Sequence, residues 1–119
     1  MTAFEEFLKG YMVCALWSST DDSGEPFDKN YEVANFSQET KNEMRAECQN
    51  FFTVNLHLMT EAKGDFSQHG HDFWLSRNGH GAGFFDRDNG IIGDKLQSNA
   101  QFYDQKYLFV ADDGMIYQD

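Results

Sequence analysis

Hydrophobic positions in the N-terminal part of the chain repeat at the spacing of an α-helix. Apolar side chains in residues 4–16 follow one another three and four positions apart, which places them along one helix face. Thr2 and Glu5 form a capping-box pattern before this stretch, because each side chain can bind a free backbone N–H at a helix start. We therefore predict a first helix here. Gly10 weakens it, and Val13 favours a strand as the alternative beyond that point.

A second helical repeat begins at Ser37, a residue type that caps helix N-termini. Glu39 lies in the first turn, where a negative charge interacts favourably with the helix dipole, and Gly64 can end the helix. We predict one long helix over residues 37–59 that packs against a sheet. Its predicted buried face consists of Met44, Cys48, Phe51, Phe52, Asn55 and Met59.

From residue 71 onward the pattern changes to short aromatic runs. The runs 72–76 and 82–85 are separated by Asn78-Gly79, and this dipeptide between apolar runs is typical of a tight β-hairpin turn. In such a hairpin about half of the aromatic side chains face away from the helical layer. These side chains are Phe73, Trp74, Phe84 and Phe85.

The C-terminal part combines a further helix with a second hairpin. Helical spacing of apolar residues predicts a helix over 91–103. Strands over 107–110 and 115–117 flank the turn sequence at 112–114. We therefore predict one α+β domain over residues 1–119, with an antiparallel sheet of three to four strands (two hairpins) packed against about three helices.

Residues 18–36 form a long acidic connection between the first two predicted helices. A connection of this length without regular structure is uncommon in a compact domain, and some such loops bind partners. Its acidic side chains are Asp21, Asp22, Glu25, Asp28 and Glu32. Its apolar side chains, which can attach the second half to the rest of the domain, are Phe27, Tyr31, Val33 and Phe36.

The net charge of the chain restricts the kinds of molecule that it can be expected to bind. The 119 residues include 20 Asp and Glu but only 9 Lys and Arg, which gives a net charge of −11. This field repels phosphate backbones and anionic membranes and attracts basic protein surfaces, although an acidic balance can also serve solubility alone. We therefore expect no direct binding to nucleic acid or to a membrane.

The composition predicts a cytoplasmic protein without a bound cofactor. The longest apolar run, residues 11–17, is shorter than the roughly 20 residues that cross a bilayer, and the N-terminus lacks the basic and apolar pattern of a secretory signal. Cys14 and Cys48 are too few and too far apart for a zinc site or a disulfide framework. We predict that both thiols are reduced and lie in the core.

The segment 70–87 reads GHDFWLSRNGHGAGFFDR. It resembles the core motif GHDFWLTRNGHGAGFWDR of a family of small, largely uncharacterised proteins that tailed bacteriophages encode. Ser76 stands where that motif has threonine, and Phe85 stands where it has tryptophan. Segments 14–19 and 112–117 also look similar to parts of this family. The resemblance implies a phage origin, and hence a bacterial host cell, rather than a particular activity.

A histidine-rich stretch offers an enzymatic alternative. If this region is a hairpin, His69 and His71 share one face of a strand, and the turn brings His80 near them. Imidazoles with a carboxylate suit Zn²⁺ or another transition metal, so His71, Asp72 and His80 predict a small metal-dependent hydrolase or nuclease. The structural alternative is that these side chains form hydrogen bonds around a tight turn.

The leading hypothesis is a non-enzymatic phage protein that inhibits a host nucleic-acid-handling or defence complex. Anti-CRISPR and anti-restriction proteins of this kind include some that present carboxylates in place of DNA phosphates, so the expected partner is a basic host protein. A third hypothesis is a homo-oligomeric accessory protein joined through the aromatic hairpin. The predicted partner-binding residues are Asp21, Asp22, Glu25, Asp28, Glu32 and Trp74.

Overall fold

A computed structural model describes all of residues 1–119 and contains four α-helices and one β-hairpin. The helices are α1 (Ala3–Ser18), α2 (Gln38–Glu61), α3 (Phe66–Arg77) and α4 (Gly90–Ala100). The strands are β1 (Leu108–Val110) and β2 (Ile116–Gln118). Short 3-10 helices lie at Phe27–Lys29, Val33–Asn35 and Phe84–Asp86.

Helix α1 confirms the first predicted helix. The backbone N–H of Glu5 donates to the Thr2 hydroxyl oxygen at 3.1 Å, which caps the helix start. The helix continues without a break to Ser18, so the strand alternative beyond Val13 is wrong. Its apolar stripe is buried along both halves.

Helix α2 confirms the second predicted helix, which begins and ends close to the predicted residues. The Ser37 hydroxyl accepts from the Thr40 backbone N–H at 3.0 Å. The buried face is the predicted one, except that Phe52 at its margin is half-buried. Its neighbours, however, are mainly other helices rather than a sheet, since α2 contacts α1, α3 and α4 and meets the hairpin at strand β2.

The predicted hairpin over residues 72–85 is wrong, because its first half is helix α3. The Asp65 carboxylate caps the start of α3 by accepting from the Gln68 N–H at 2.8 Å. Asn78 caps the end, and Gly79 follows with a left-handed φ of +66°. The His80 N–H then donates to the Leu75 carbonyl at 3.2 Å, which is the bond of a glycine-terminated Schellman helix end.

The sheet is therefore smaller than predicted. It has two antiparallel strands, β1 and β2, with Leu108 opposite Gln118 and Val110 opposite Ile116. The predicted C-terminal hairpin is confirmed, and α4 confirms the helix predicted over 91–103. The predicted sheet of three to four strands is wrong, and the fold is an α+β arrangement dominated by helices.

Two glycines let α1 and α3 cross at very short distance. A Cβ atom on Gly70 would lie 1.9 Å from the Phe7 carbonyl oxygen, and one on Gly10 would lie 2.1 Å from the Ser67 carbonyl oxygen. Real Cβ atoms essentially never approach other atoms within 3.0 Å. Gly10, which the sequence analysis treated as a weakness of α1, is therefore a requirement of the helix crossing.

Stacked aromatic rings fill the space between the helices. The Phe51 ring lies 4.2 Å from the Phe73 ring and 5.8 Å from the Phe84 ring, measured between centroids. Because these rings are buried together with Trp74, the expectation that half of this aromatic set faces away from the helical layer is wrong. Phe85 alone of the four is exposed, at 46%.

Candidate partner-binding site

The connection between α1 and α2 is folded rather than structureless. The Phe27 N–H donates to the Ser19 carbonyl at 3.0 Å, and the Asp21 N–H donates to the Glu25 carbonyl at 2.8 Å, which closes a narrow turn. The Phe27 and Phe36 side chains are buried in the core and attach the connection at two points. Residues 19–36, which we call the acidic loop, therefore have a defined shape.

Two of the five predicted acidic residues stabilise this loop from within. The Asp21 carboxylate accepts from the backbone N–H groups of Ser23 and Glu25, at 2.9 Å and 3.0 Å through the same oxygen. Glu25 forms a 3.0 Å ion pair with Lys29. These two side chains shape the loop, and each is only partly exposed.

The other three acidic residues, Asp22, Asp28 and Glu32, face solvent. None of them takes part in a salt bridge within the chain. Their charges are therefore open to a partner, while the loop that carries them is anchored by buried aromatic side chains.

A cavity of about 150 Å³ separates the acidic loop from β1. One wall is the loop, and the opposite wall is the strand. The lining residues are Thr20, Asp21, Asp22, Ser23, Phe27, Tyr31, Leu108, Phe109 and Val110. We call this space the β1 cavity. It brings two of the predicted acidic residues next to aromatic side chains.

The structure corrects the role predicted for Trp74. Its side chain is 1% exposed, and its indole N–H donates to the Ser18 hydroxyl at 2.8 Å. The ring also packs edge-on against Tyr11 with centroids 5.4 Å apart. Trp74 is a core residue, and it presents almost no surface to a partner protein.

The predicted metal-binding residues do not come together. The His71 Nε2 atom accepts a hydrogen bond from the Trp17 indole N–H at 2.9 Å. Asp72 is buried and bound by both Nε and Nη2 of Arg87, at 3.1 Å and 2.8 Å. His80 is exposed beyond the end of α3. No group of three or more His, Cys, Asp and Glu side chains in the structure is arranged to hold a metal ion.

The two cysteines are buried with free thiols, as predicted. Burial is the main cause that raises the pKa of the Cys14 thiol to about 12, and burial also raises the pKa of Cys48 well above its ordinary value. A thiol must ionise to act as a nucleophile, so burial disfavours the reactive form of both side chains near neutral pH. Both side chains pack in the core.

Arg77 is the centre of a buried polar cluster that the sequence analysis missed. Its Nη1 donates to the Tyr11 hydroxyl at 3.1 Å, its Nη2 donates to Glu47 at 3.2 Å, and its Nε donates to the Asp104 carbonyl at 3.0 Å. The guanidinium also lies 5.7 Å from the Phe73 ring centroid. This Arg77 cluster joins α1, α2, α3 and the segment before β1, and it has a structural role.

The role of Phe109 in the wall of the β1 cavity was also not predicted, although the strand pattern of the sequence indicates that its side chain is exposed. Successive side chains of a strand face opposite sides, and Leu108 belongs to the core. Phe109 must then face outward, where it stacks on Tyr117 with ring centroids 5.9 Å apart. That it faces the acidic loop depends on the folded arrangement and is not visible in the sequence.

Comparison with known proteins identified no relative of this chain. No family model, no curated protein and no solved structure matches the chain. Among the helices, none combines the length and the apolar character that a membrane crossing requires.

Proposed function

We propose that the chain is a non-enzymatic binding protein whose acidic loop docks onto a basic surface of a partner protein. One observation carries this proposal: Asp22, Asp28 and Glu32 are exposed and free of salt bridges on a loop that Phe27 and Phe36 anchor in the core. Charges held in place before binding lose less conformational entropy on binding than charges on a mobile segment. The net charge of −11 adds long-range attraction to a basic surface.

In its narrower form, the proposal is a phage-encoded inhibitor of a host complex that handles nucleic acid. The resemblance of segment 70–87 to tailed-phage proteins supports a bacterial cytoplasm as the place of action. The carboxylates would then occupy a groove that otherwise holds phosphates, as in DNA mimicry by anti-CRISPR or anti-restriction proteins. The partner is basic, and the chain itself binds no nucleic acid, because like charges repel.

The other two hypotheses have less support. A hydrolase centred on His71, Asp72 and His80 needs these groups at one point, whereas they are engaged by different neighbours or lie apart. An oligomer joined through Phe73, Trp74, Phe84 and Phe85 needs exposed rings, whereas all of them except Phe85 are packed in the core of a single chain.

The test compares two variants with the same change in charge. Asp28→Asn/Glu32→Gln neutralises two carboxylates of the acidic loop, and Glu61→Gln/Asp94→Asn neutralises two exposed carboxylates on α2 and α4. Each protein is used to capture partners from a bacterial lysate, and the association rate with the captured, purified partner is measured at rising salt. Duplex DNA is added as a competitor.

We expect the loop variant to slow association several-fold more than the control variant does. Charges near an interface steer the encounter, and salt shortens their range from about 10 Å at 0.1 M to about 3 Å at 1 M. DNA should compete for the same partner surface. A partner whose binding responds neither to salt nor to the loop variant would contradict the proposal.

A further inference from the structure

We propose that the β1 cavity is a binding site for one arginine side chain of the partner, a proposal that rests on the proposed function. The cavity volume of about 150 Å³ is well below the roughly 300–1,000 Å³ of small-molecule pockets, which suits a single side chain. Three features of its walls select arginine: aromatic faces, aspartate oxygens and unpaired backbone carbonyls.

Aromatic rings form the apolar part of the cavity. Phe109 is 46% exposed and is held by its stacking on Tyr117. Tyr31 is half-buried and packs on Phe27 with ring centroids 5.7 Å apart. Such rings accommodate the methylene chain of a long basic side chain, and their faces attract its cationic end. A neutral polar side chain lacks this second attraction.

Aspartate oxygens form the polar part of the cavity. Asp22 is exposed and forms no salt bridge. Asp21 uses Oδ1 for the two backbone N–H groups of its turn, and none of its hydrogen bonds involves Oδ2. Both carboxylates therefore retain an oxygen that can accept from a guanidinium.

The free edge of β1 supplies further acceptors. Tyr107 and Asp119 form a hydrogen-bonded pair, with backbone N–H···O=C bonds of 3.2 Å and 2.8 Å. Hydrogen-bonded and non-hydrogen-bonded pairs alternate along an antiparallel ladder. The backbone N–H and C=O groups of Leu108 and Val110 therefore point away from β2. No residue of β2 lines the cavity, so the cavity lies on this free side of the strand. Carbonyl oxygens here match a guanidinium, which has five donors and no acceptor, better than an ammonium with three.

Charge argues against a second copy of this chain as the occupant. An open strand edge can pair with the same edge of another molecule, which would extend the sheet. That pairing would bring Asp21 and Asp22 of two chains together, and each chain already carries a net charge of −11. A basic partner gains attraction at the same place.

The direct test uses three short glycine-flanked peptides with blocked ends, which contain a single arginine, a single lysine or a single citrulline. Citrulline has nearly the shape of arginine but no charge. Each peptide is titrated into the ¹⁵N-labelled full chain while backbone amide shifts are followed by NMR. We expect the arginine peptide to shift amides of residues 20–23, 31 and 108–110, the lysine peptide to bind several-fold more weakly, and the citrulline peptide to cause no shifts.

Two cavity variants and one control locate the site. Asp22→Asn and Phe109→Leu change exposed side chains of the cavity. Each should lower the affinity of the chain for the arginine peptide about fivefold or more. Asp94→Asn removes an equal charge on α4 and should change affinity by less than twofold. Melting temperatures near that of the unmodified chain verify that each variant is folded.

The outcomes separate this inference from the proposed function. The arginine site is refuted if the arginine and lysine peptides bind with equal affinity and if Asp94→Asn lowers that affinity as much as Asp22→Asn does. Loop docking would survive that result as long as the Asp28→Asn/Glu32→Gln variant still slows association. Sedimentation that shows a dimer abolished by substitutions in the β1 cavity would assign the cavity to a second copy and also overturn the inference.

Discussion

A single methyl group added at Gly70 tests how closely α1 and α3 pack. Intrinsic helix propensity predicts that Gly70→Ala stabilises the chain by about 1 kcal/mol, since alanine is the better helix former. The helix crossing predicts the opposite sign, because the new Cβ would lie 1.9 Å from the Phe7 carbonyl oxygen. The two effects compete at one residue, so the sign of the change distinguishes them.

The magnitude follows from the geometry of the contact. An ordinary van der Waals contact at a Cβ is 3.4–4 Å, so α3 must move by about 1.5 Å or distort. The obstacle is backbone and cannot change rotamer. A gap of 0.5–1 Å already removes roughly a quarter to a half of each dispersion contact, and overpacking typically costs about 1–3 kcal/mol or more. After the gain in propensity, we expect a net loss of about 2 kcal/mol in the free energy of unfolding.

Thermal unfolding followed by circular dichroism is the assay. For a chain of this size, a loss of about 2 kcal/mol lowers the melting temperature by roughly 6–10 °C. Gly10→Ala should act in the same direction, because its Cβ would meet the Ser67 carbonyl at 2.1 Å. Ser98→Ala, at an exposed position of α4, is the control and should leave the melting temperature unchanged or slightly higher. An unchanged or raised melting temperature for Gly70→Ala would refute the close crossing.

Two further predictions concern buried polar groups. Arg77→Met should cost about 3–5 kcal/mol in urea unfolding, because Glu47 and the other acceptors of the Arg77 cluster lose their donor. Arg45→Met, at an exposed ion pair, should cost less than about 1 kcal/mol, and equal losses would contradict the cluster. Burial lowers the pKa of His69 below its ordinary 6.5, so below about pH 6.5 the unfolded chain takes up a proton first and stability falls. His69→Phe should reduce this loss between pH 7 and pH 5, whereas the exposed His57→Gln should not, and an unaltered slope in His69→Phe would count against the assignment.

Three of the four helices could be predicted because their signals are local. Ser37 and the apolar repeat that follows it define α2 without reference to any other part of the chain. The Asn78-Gly79 dipeptide misled the prediction because a left-handed glycine serves a tight hairpin turn and a helix end equally well. The earlier residues decide between the two: Asp65 caps a helix, and Phe66 and Phe73 lie two turns apart on its buried side.

The candidate site was predicted in part. The acidic residues could be located because charge and turn formers are visible in the sequence, and Asp22 does lie on the surface. Trp74 was misplaced because an assumed strand would have turned neighbouring aromatics to opposite faces, whereas the short buried helix α3 places Phe73 and Trp74 both inside. The β1 cavity depends on the approach of the acidic loop to Phe109, which no local pattern encodes.

Buried carboxylates of this chain have an arginine partner that the exposed carboxylates of the acidic loop lack, and this difference concerns the function of that loop. The buried or partly buried carboxylates of Asp72 and Glu47 are paired with arginines, so their charges stabilise the fold. Asp22 and Asp28 have no such partner, and at a net charge of −11 each adds repulsion to the folded chain. Neutralising them should therefore leave the melting temperature unchanged or slightly higher. The proposed binding would give these groups a role that the fold does not give them, so loss of binding without loss of stability is the decisive result.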